Sequence, residues 1–513
     1  MADAASYGGN TAVGGVSSHE GPEQVDPSGL QAIFDNTLAP ATIHTVELHG
    51  AKYTRRSLLD YIFKPLVESS PNATLGDVVA RVGTAQSKLS RLGIFKDDSF
   101  QVFISDARKS PAGQPETTEL DIAFNVKEKS RLALGAGTDI GNTEGSAYTN
   151  AELRNIFGGA ETLTVNARTG TRTRSAYNAA LSAPVLGNPD IRAAFEAQQS
   201  STSKPWASHE ENITGGSVKV AWQQADNGDS HSVTYSSVWR QLTNLLPGAS
   251  PTVRGDAGDS LKNSFTYSFT RDRLDRLSGP VPTLPQSGYL IRAMSELAGW
   301  GFLKGDVAFS KTELELSTTR PLAIPGVKNT SGITVGGGFR MGLLYPLPFS
   351  YGLSGPRSPS RINDRFQLGG PTDVRGFKLG GLGPHDNGDA VGGDVYAAGG
   401  VNMMLPIPRV GASSPLRIQL FANGGRLVAL KNKGKSKEGE GGHLQMSSRA
   451  VSRSMRSAVS ELADGLPSMA AGVGLVYAHP AARFELNFSL PLAVRKGEEG
   501  RKGLQVGVGI NFL

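Results

Sequence analysis

The chain has 513 residues, 64 of them glycine, with 19% charged and 38% hydrophobic residues. Glycine stands well above the roughly 7% average and charge below the roughly 25% of ordinary soluble proteins. No apolar run approaches the ~18 residues that a membrane helix needs, which excludes a helical membrane protein. The net charge of +6 is too small over this length to imply nucleic-acid binding. The absence of cysteine removes disulfides, thiolate catalysis and zinc–cysteine sites together. A mean hydropathy of −0.23 fits a large β protein, a membrane barrel included, because a polar lumen cancels the lipid face in any average.

Residues 1–42 are expected to be a disordered acidic arm. The first forty hold Asp3, Glu20, Glu23, Asp26 and Asp35, and the first basic residue is Lys52. Neither a secretory leader, with its basic start and apolar core, nor an Arg-rich presequence has this pattern.

Residues 43–129 predict a compact α+β unit. A short strand carries Val46 and Leu48. Leu58, Leu59, Ile62, Phe63 and Leu66 follow at helical spacing, with Thr54 as a cap. A second helix begins at the capping box Thr74–Asp77 and carries Leu75, Val78, Val79, Val82, Leu89 and Leu92. Gly93 stands where a C′ glycine would end it. Two alternating strands complete a β-α-α-β-β order, one with Phe100, Val102 and Ile104, the other with Leu120, Ile122, Phe124 and Val126.

Residues 130–513 predict strands almost throughout, about sixteen of them. From Arg483 to Leu490 every second residue is large and apolar, and Leu504, Val506, Val508, Ile510 and Phe512 repeat the pattern. An even number of such segments, with no short repeat, predicts an antiparallel membrane barrel, the form that leaves no backbone group facing lipid unpaired. Leu290, Ile291, Met294 and Leu297 fit a helix equally well. A long connection over 346–391 carries Val374-Arg375-Gly376-Phe377. Connections this long are commonly functional. Downstream, the alternation puts Phe421, Asn423 and Gly425 on the face opposite the lipid. The insertion 431–467 opens with Lys431, Lys433, Lys435 and Lys437. It continues into an amphipathic stretch with Val451, Met455, Ala458, Val459 and Leu462 on one side and Arg449, Arg453 and Arg456 elsewhere. Such a stretch can rest on a lipid surface or a partner subunit, or simply be a solvated loop helix.

Enzymatic motifs are poor. Gly434-Lys435-Ser436 has Ala429 where a phosphate loop requires its first glycine. The eight histidines are scattered, so no metal or other cofactor is expected.

Several of these motifs carry a family resemblance. The small unit, with Leu92-Gly93-Ile94-Phe95, resembles a POTRA domain. Val374-Arg375-Gly376-Phe377 resembles the signature of the loop that folds into the lumen of BamA-like proteins. Phe421-Ala422-Asn423-Gly424-Gly425 resembles that family's lumen-facing strand motif, with Asn423 where many relatives carry Asp. Gln505, Gly507, Ile510 and Phe512 fit the pattern of the mitochondrial β-signal. Together they resemble the core barrel of the mitochondrial sorting and assembly machinery. The resemblance implies a non-enzymatic insertase for β-barrel precursors in the mitochondrial outer membrane, with the POTRA-like unit and both termini in the intermembrane space. Precursors, peripheral subunits and lipid are the implied partners, with no nucleic acid and no small-molecule substrate. It implies a lateral seam between a first strand with Leu132, Gly135 and Gly137 and the last strand. The two glycines are expected to weaken packing across that seam, and Asn423 is expected to partner Arg375. A metabolite pore and a structural anchor remain as rival readings.

Overall fold

A computed structural model describes residues 37–68, 73–108, 118–141, 144–224, 228–276, 284–322, 332–347, 360–410, 414–430, 448–479 and 483–509. The acidic arm thus falls almost wholly outside the described residues, and so do Lys431, Lys433, Lys435, Lys437, Ile510 and Phe512. The described residues form two compact units.

Residues 41–125 have the expected element order. Strands β1 (Ala41–His49), β2 (Gln101–Arg108) and β3 (Thr118–Asn125) make one sheet, with β3 central, parallel to β1 and antiparallel to β2. Helices α1 (Arg56–Val67) and α2 (Leu75–Arg91) lie between β1 and β2 in the chain. The capping box forms reciprocally, with the Asp77 N–H donating to Thr74 Oγ1 at 3.2 Å and the Thr74 N–H to Asp77 Oδ2 at 3.1 Å. The hydrogen bonds from Thr74 hold the Asp77 carboxyl below the usual carboxylate range. Gly93 ends the helix at φ +77°, a conformation that costs a glycine little. Thr54 does not cap α1. Its hydroxyl donates instead to Glu128 at 2.7 Å.

The larger unit is an antiparallel sheet of sixteen described strands, each paired with its sequence neighbours. They are β4 (Leu132–Gly141), β5 (Glu144–Arg154), β6 (Thr162–Gly170), β7 (Thr173–Val185), β8 (Asn188–Lys204), β9 (His209–Gln223), β10 (Ser230–Thr243) and β11 (Gly258–Asp272). A short helix α3 (Pro251–Gly255) precedes β11. There follow β12 (Gly288–Ala298), β13 (Phe309–Pro321), β14 (Thr334–Pro346), β17 (Val395–Pro406), β18 (Leu416–Val428), β19 (Ser468–Ala478), β20 (Arg483–Ala493) and β21 (Gly503–Gly509). Two-residue strands β15 (His385–Asp386) and β16 (Asp389–Ala390) lie in the loop before β17, and helix α4 (Ser448–Ala463) lies between β18 and β19. The ambiguous segment is the strand β12. In register with β11 and β13 its backbone groups are paired along their length, which overrides the helical spacing of its apolar residues.

Burial in this sheet is inverted relative to a water-soluble protein. On β20, Phe484, Leu486, Phe488 and Leu490 are exposed, while Glu485, Asn487 and Ser489 between them are buried. On β18, Leu420 is exposed while Arg417 and Gln419 are buried. A water-soluble chain does not expose an apolar belt of this extent. A barrel in lipid requires one, with the polar residues turned inward. No described helix is long and apolar enough to cross a membrane.

The sheet runs in order from β4 to β21, and these two strands are its edges, with no ladder between them among the described residues. They approach at Gly141, where a side chain would run into Val508. The polarity of the lipid face is open to test. Leu486→Arg, on an outward position of β20, should destabilise the folded barrel by about 2–4 kcal/mol if it lies near the bilayer midplane, read as a lower urea midpoint in vesicles. Leu486→Phe should change it little.

Candidate functional site: the inward loop and the last hairpin

The connection between β14 and β17 folds into the lumen as a core of its own. Its Phe366, Leu368, Val374, Phe377 and Leu382 cluster with the inward-facing Phe309, Leu344, Tyr396, Ala398, Leu427 and Ala470 of the wall. Phe366 and Tyr396 meet edge to face at 4.7 Å between ring centres, and Lys311 Nζ lies 4.4 Å from the centre of the Phe366 ring. Polar contacts tie down the loop's flanks. Asp364 accepts from Arg240 at 2.5 and 3.3 Å, both side chains being buried. Asp394 accepts from the Ser360 hydroxyl at 2.5 Å and the Leu430 N–H at 2.8 Å. Asp389 accepts from the Ser250 N–H at 2.7 Å and the Ser208 hydroxyl at 2.5 Å. Near the loop, at the end of α3, Asp256 is half-buried, and the loss of solvent around its carboxyl raises it above the ordinary range although the Ile362 N–H donates to it.

At the centre stands Arg375, fully buried. Its Nε and Nη2 donate to Glu485 of β20 at 3.0 and 3.3 Å, and its guanidinium lies 5.0 Å from the centre of the Phe421 ring. Glu485 also receives Arg483 at 2.5 Å and the Asn487 amide at 2.7 Å. Arg483 itself reaches Gln419 at 3.0 Å. A buried charge needs this density of partners, since desolvation otherwise costs several kcal/mol per ion.

Asn423 meets the backbone of Arg375, not its guanidinium, which corrects the expectation from sequence. With its carboxamide turned to satisfy the network, its oxygen accepts the Arg375 N–H at 2.8 Å. Its nitrogen donates to the carbonyls of Arg375 at 3.2 Å and Ala470 at 3.3 Å. A peptide unit offers one donor and one acceptor, and an amide side chain answers both where an ionised carboxylate answers only the donor. Asn423 therefore clamps the chain while Glu485 supplies the charge. Gly425 leaves room for the loop, as a methyl group there would come within 2.8 Å of Leu368 and 3.2 Å of Val374. At Gly376 (φ +85°) a methyl would come within 2.5 Å of the Ala470 Cβ, so both the backbone angle and the close approach exclude a side chain.

The loop is bonded directly to the last hairpin. Gln505 of β21 accepts the Gly376 N–H at 2.8 Å through Oε1 and donates through Nε2 to the Phe377 carbonyl at 3.0 Å. The Arg501 N–H donates to the Gly376 carbonyl at 2.8 Å, Lys378 to Glu499 at 3.1 Å, and Glu499 to Gly381 at 2.8 Å. Gly507 lies opposite Glu485 in the β20–β21 ladder. The motif residues singled out by sequence on the loop, β18 and the described part of β21 thus come together in one network.

The first strand stands apart from it. Leu132 is exposed, facing outward. A side chain at Gly135 would collide with Asn150, and one at Gly137 with Tyr148, both on β5. These glycines make room for the neighbouring strand to fold its side chains across β4. Sequence reasoning also missed Glu485. Its signal was present, as the one carboxylate on β20.

The sheet and this network define a transmembrane β-barrel whose inward loop is bonded to its final hairpin. Residues 155–512 match the Omp85 superfamily domain. A SAM50-like protein of Schizosaccharomyces pombe is 34% identical over 493 residues, covering 96% of this chain and 95% of that one. The sorting and assembly machinery component 50 homolog of Homo sapiens is 31% identical over 507 residues, covering 98% and 96%. BamA from Haemophilus ducreyi lacking POTRA domains 1-3 has a similar fold, with a TM-score of 0.66 at 15% identity over 91% of this chain and 84% of that one. The chain belongs to the Omp85 superfamily and, within it, to the family of the sorting and assembly machinery component 50.

The network makes two substitutions informative. Glu485→Ala leaves Arg375 and Arg483 without their shared carboxylate and should cost about 3–5 kcal/mol, read as the urea midpoint in vesicles. Asn423→Asp sets a charge against the Arg375 and Ala470 carbonyls and should cost about 1–3 kcal/mol at neutral pH by the same measurement.

Proposed function

We propose that this chain folds β-barrel precursors into the mitochondrial outer membrane, offering the edge of β4 as template for an incoming strand. The relatives' names, which place them in a sorting and assembly machinery, support the assembly role. The single observation that carries the mechanism is the seam, where a sixteen-strand sheet in lipid ends in two edges with no ladder between them among the described residues. A nascent strand has backbone donors and acceptors that hydrocarbon cannot satisfy, and an edge strand supplies them by augmentation. The incoming strand finds on the β4 edge the partners that hydrocarbon denies it, so the exchange runs without a nucleotide or cofactor.

The loop gives this exchange a checkpoint. When β21 moves away from β4, Gln505 leaves the Gly376 N–H and the Phe377 carbonyl unsatisfied in a buried site, at a cost of about 1–3 kcal/mol per group. A precursor strand with a polar residue at the equivalent position restores both bonds, and one without it does not. Arg375, held by Glu485, braces the loop meanwhile. In this reading the POTRA-like unit and the termini face the intermembrane space, the inward loop and α4 arise from the cytosolic ends of the strands, and peripheral subunits and lipid complete the partners. A free metabolite pore is disfavoured because the loop's apolar cluster occupies the lumen.

The chain has no native cysteine, so the pair Gly141→Cys and Val508→Cys reports the seam against a clean background. Their crosslink should fade as an arrested precursor crosslinks to the thiol introduced on β4. A seam that stays crosslinked while precursors assemble normally would sink the exchange mechanism. In Arg375→Ala the barrel should remain membrane-embedded while assembly of other barrels, measured by their protease-resistant forms, falls severalfold.

A further inference from the structure

Helix α4 takes no part in the site above, and it lies against the outside of the barrel wall. Its Met455 and Ala458 cluster with Val395, Val428 and Leu430, with Leu343, Tyr345 and Leu462 packed alongside. Leu343 pairs with Val395 and Val395 with Val428. The alternate residues Leu344, Tyr396 and Leu427 belong to the lumen core, so the helix covers the opposite, outward face. Ser452 Oγ and Tyr345 Oη are 2.9 Å apart, and Arg426 donates to the Leu462 and Asp464 carbonyls at the helix end. The helix is thus fixed to the wall near the strand ends that carry the inward loop.

Two features of this region have no use in strand exchange. The helix face turned from the wall carries exposed Arg449, Arg453 and Arg456, about one guanidinium per turn, and the helix has a single acid, Glu461. Below its C-terminal end, a trough of about 690 Å³ opens on the outer wall, lined by Phe339, Gly399, Val401, Ala422, Gly424 and Leu462 among others. Glycine and alanine at outward positions of β17 and β18 make it, between larger neighbours that stand proud. Phe339 and Val401 are themselves exposed on the apolar belt, so the trough opens to hydrocarbon.

We infer that α4 and the trough together hold an anionic phospholipid of the leaflet on the α4 side, its phosphate on the arginine row and an acyl chain in the trough. An apolar slot facing hydrocarbon selects a chain, and a row of guanidinium groups at the strand ends selects an anion. The assignment rests on the barrel spanning a membrane and is independent of the exchange mechanism. Arginine suits the task because its planar fork can grip two phosphate oxygens at once.

The test uses the full chain carrying Ser460→Cys, labelled with a fluorophore, in phosphatidylcholine vesicles. Ser460 lies on the arginine face beyond the row. Quenching is compared between chain-nitroxide phosphatidylserine and chain-nitroxide phosphatidylcholine at equal fraction. The anionic lipid should quench about threefold more effectively at 0.1 M salt, where screening acts over ~10 Å. The preference should disappear in Arg449→Gln/Arg453→Gln/Arg456→Gln and weaken strongly in Ala422→Phe, which fills the trough. Equal quenching by the two lipids, or a preference that survives either variant, overturns the inference. Heat-modified migration confirms that each variant is folded.

Discussion

Hydrocarbon offers no partner to a backbone N–H or C=O, and this one constraint organises the larger unit. It requires sixteen strands to pair in sequence order, turns apolar side chains outward and gathers polar ones inside. It also makes the two edges, β4 and β21, the place where the sheet is least satisfied. The same groups that destabilise an open seam are the ones that can receive another strand. In the proposed exchange, stability and function therefore draw on one set of hydrogen bonds, and the last strand is to be held without being held too tightly.

The inward loop meets that requirement from within. A lumen lined only with polar groups would fill with water and leave the wall free to flex. Here the loop brings its own apolar residues, so that the barrel interior packs as a core around Phe366, Val374 and Phe377. The ionic centre is set in that packing. Arg375 alone in such a place would be strongly destabilising, and Glu485 alone equally so. Paired, and joined by Arg483, Asn487 and the Phe421 ring, they fix one loop position relative to the last two strands. Gln505 then extends this positional control to the seam strand itself.

Much of this was legible in the residues. Period-two alternation exposed the barrel strands and their approximate number, because successive side chains in a strand point to opposite faces. The helices of the small unit were legible through the Thr74–Asp77 box and Gly93, which act locally. What failed to be legible was pairwise and long-range. Asn423 was placed on the correct face, but nothing in its identity says whether it addresses a guanidinium or a peptide group. Gly135 and Gly137 were seen as missing side chains, but the residues that use the space, Asn150 and Tyr148, are specified only by strand register. The helical spacing in β12 likewise misled until its neighbours were in place. Glu485 was in view throughout, yet choosing it among the polar residues of the lumen needs the loop's path.

The bond between the inward loop and the last hairpin also has a temporal side. Arg375 leaves the ribosome more than a hundred residues before Glu485, and Gln505 comes later still. Until those residues arrive, the loop has its arginine without a carboxylate and its Gly376–Phe377 peptide groups without a clasp. A loop that closes over so long a separation gains its stability only at the end, once the intervening strands have shortened the path. The loop therefore cannot settle in a barrel whose C-terminal strand is missing or out of register. Its seating is an internal record, made by the molecule on itself, that the last strands have been added in the right order.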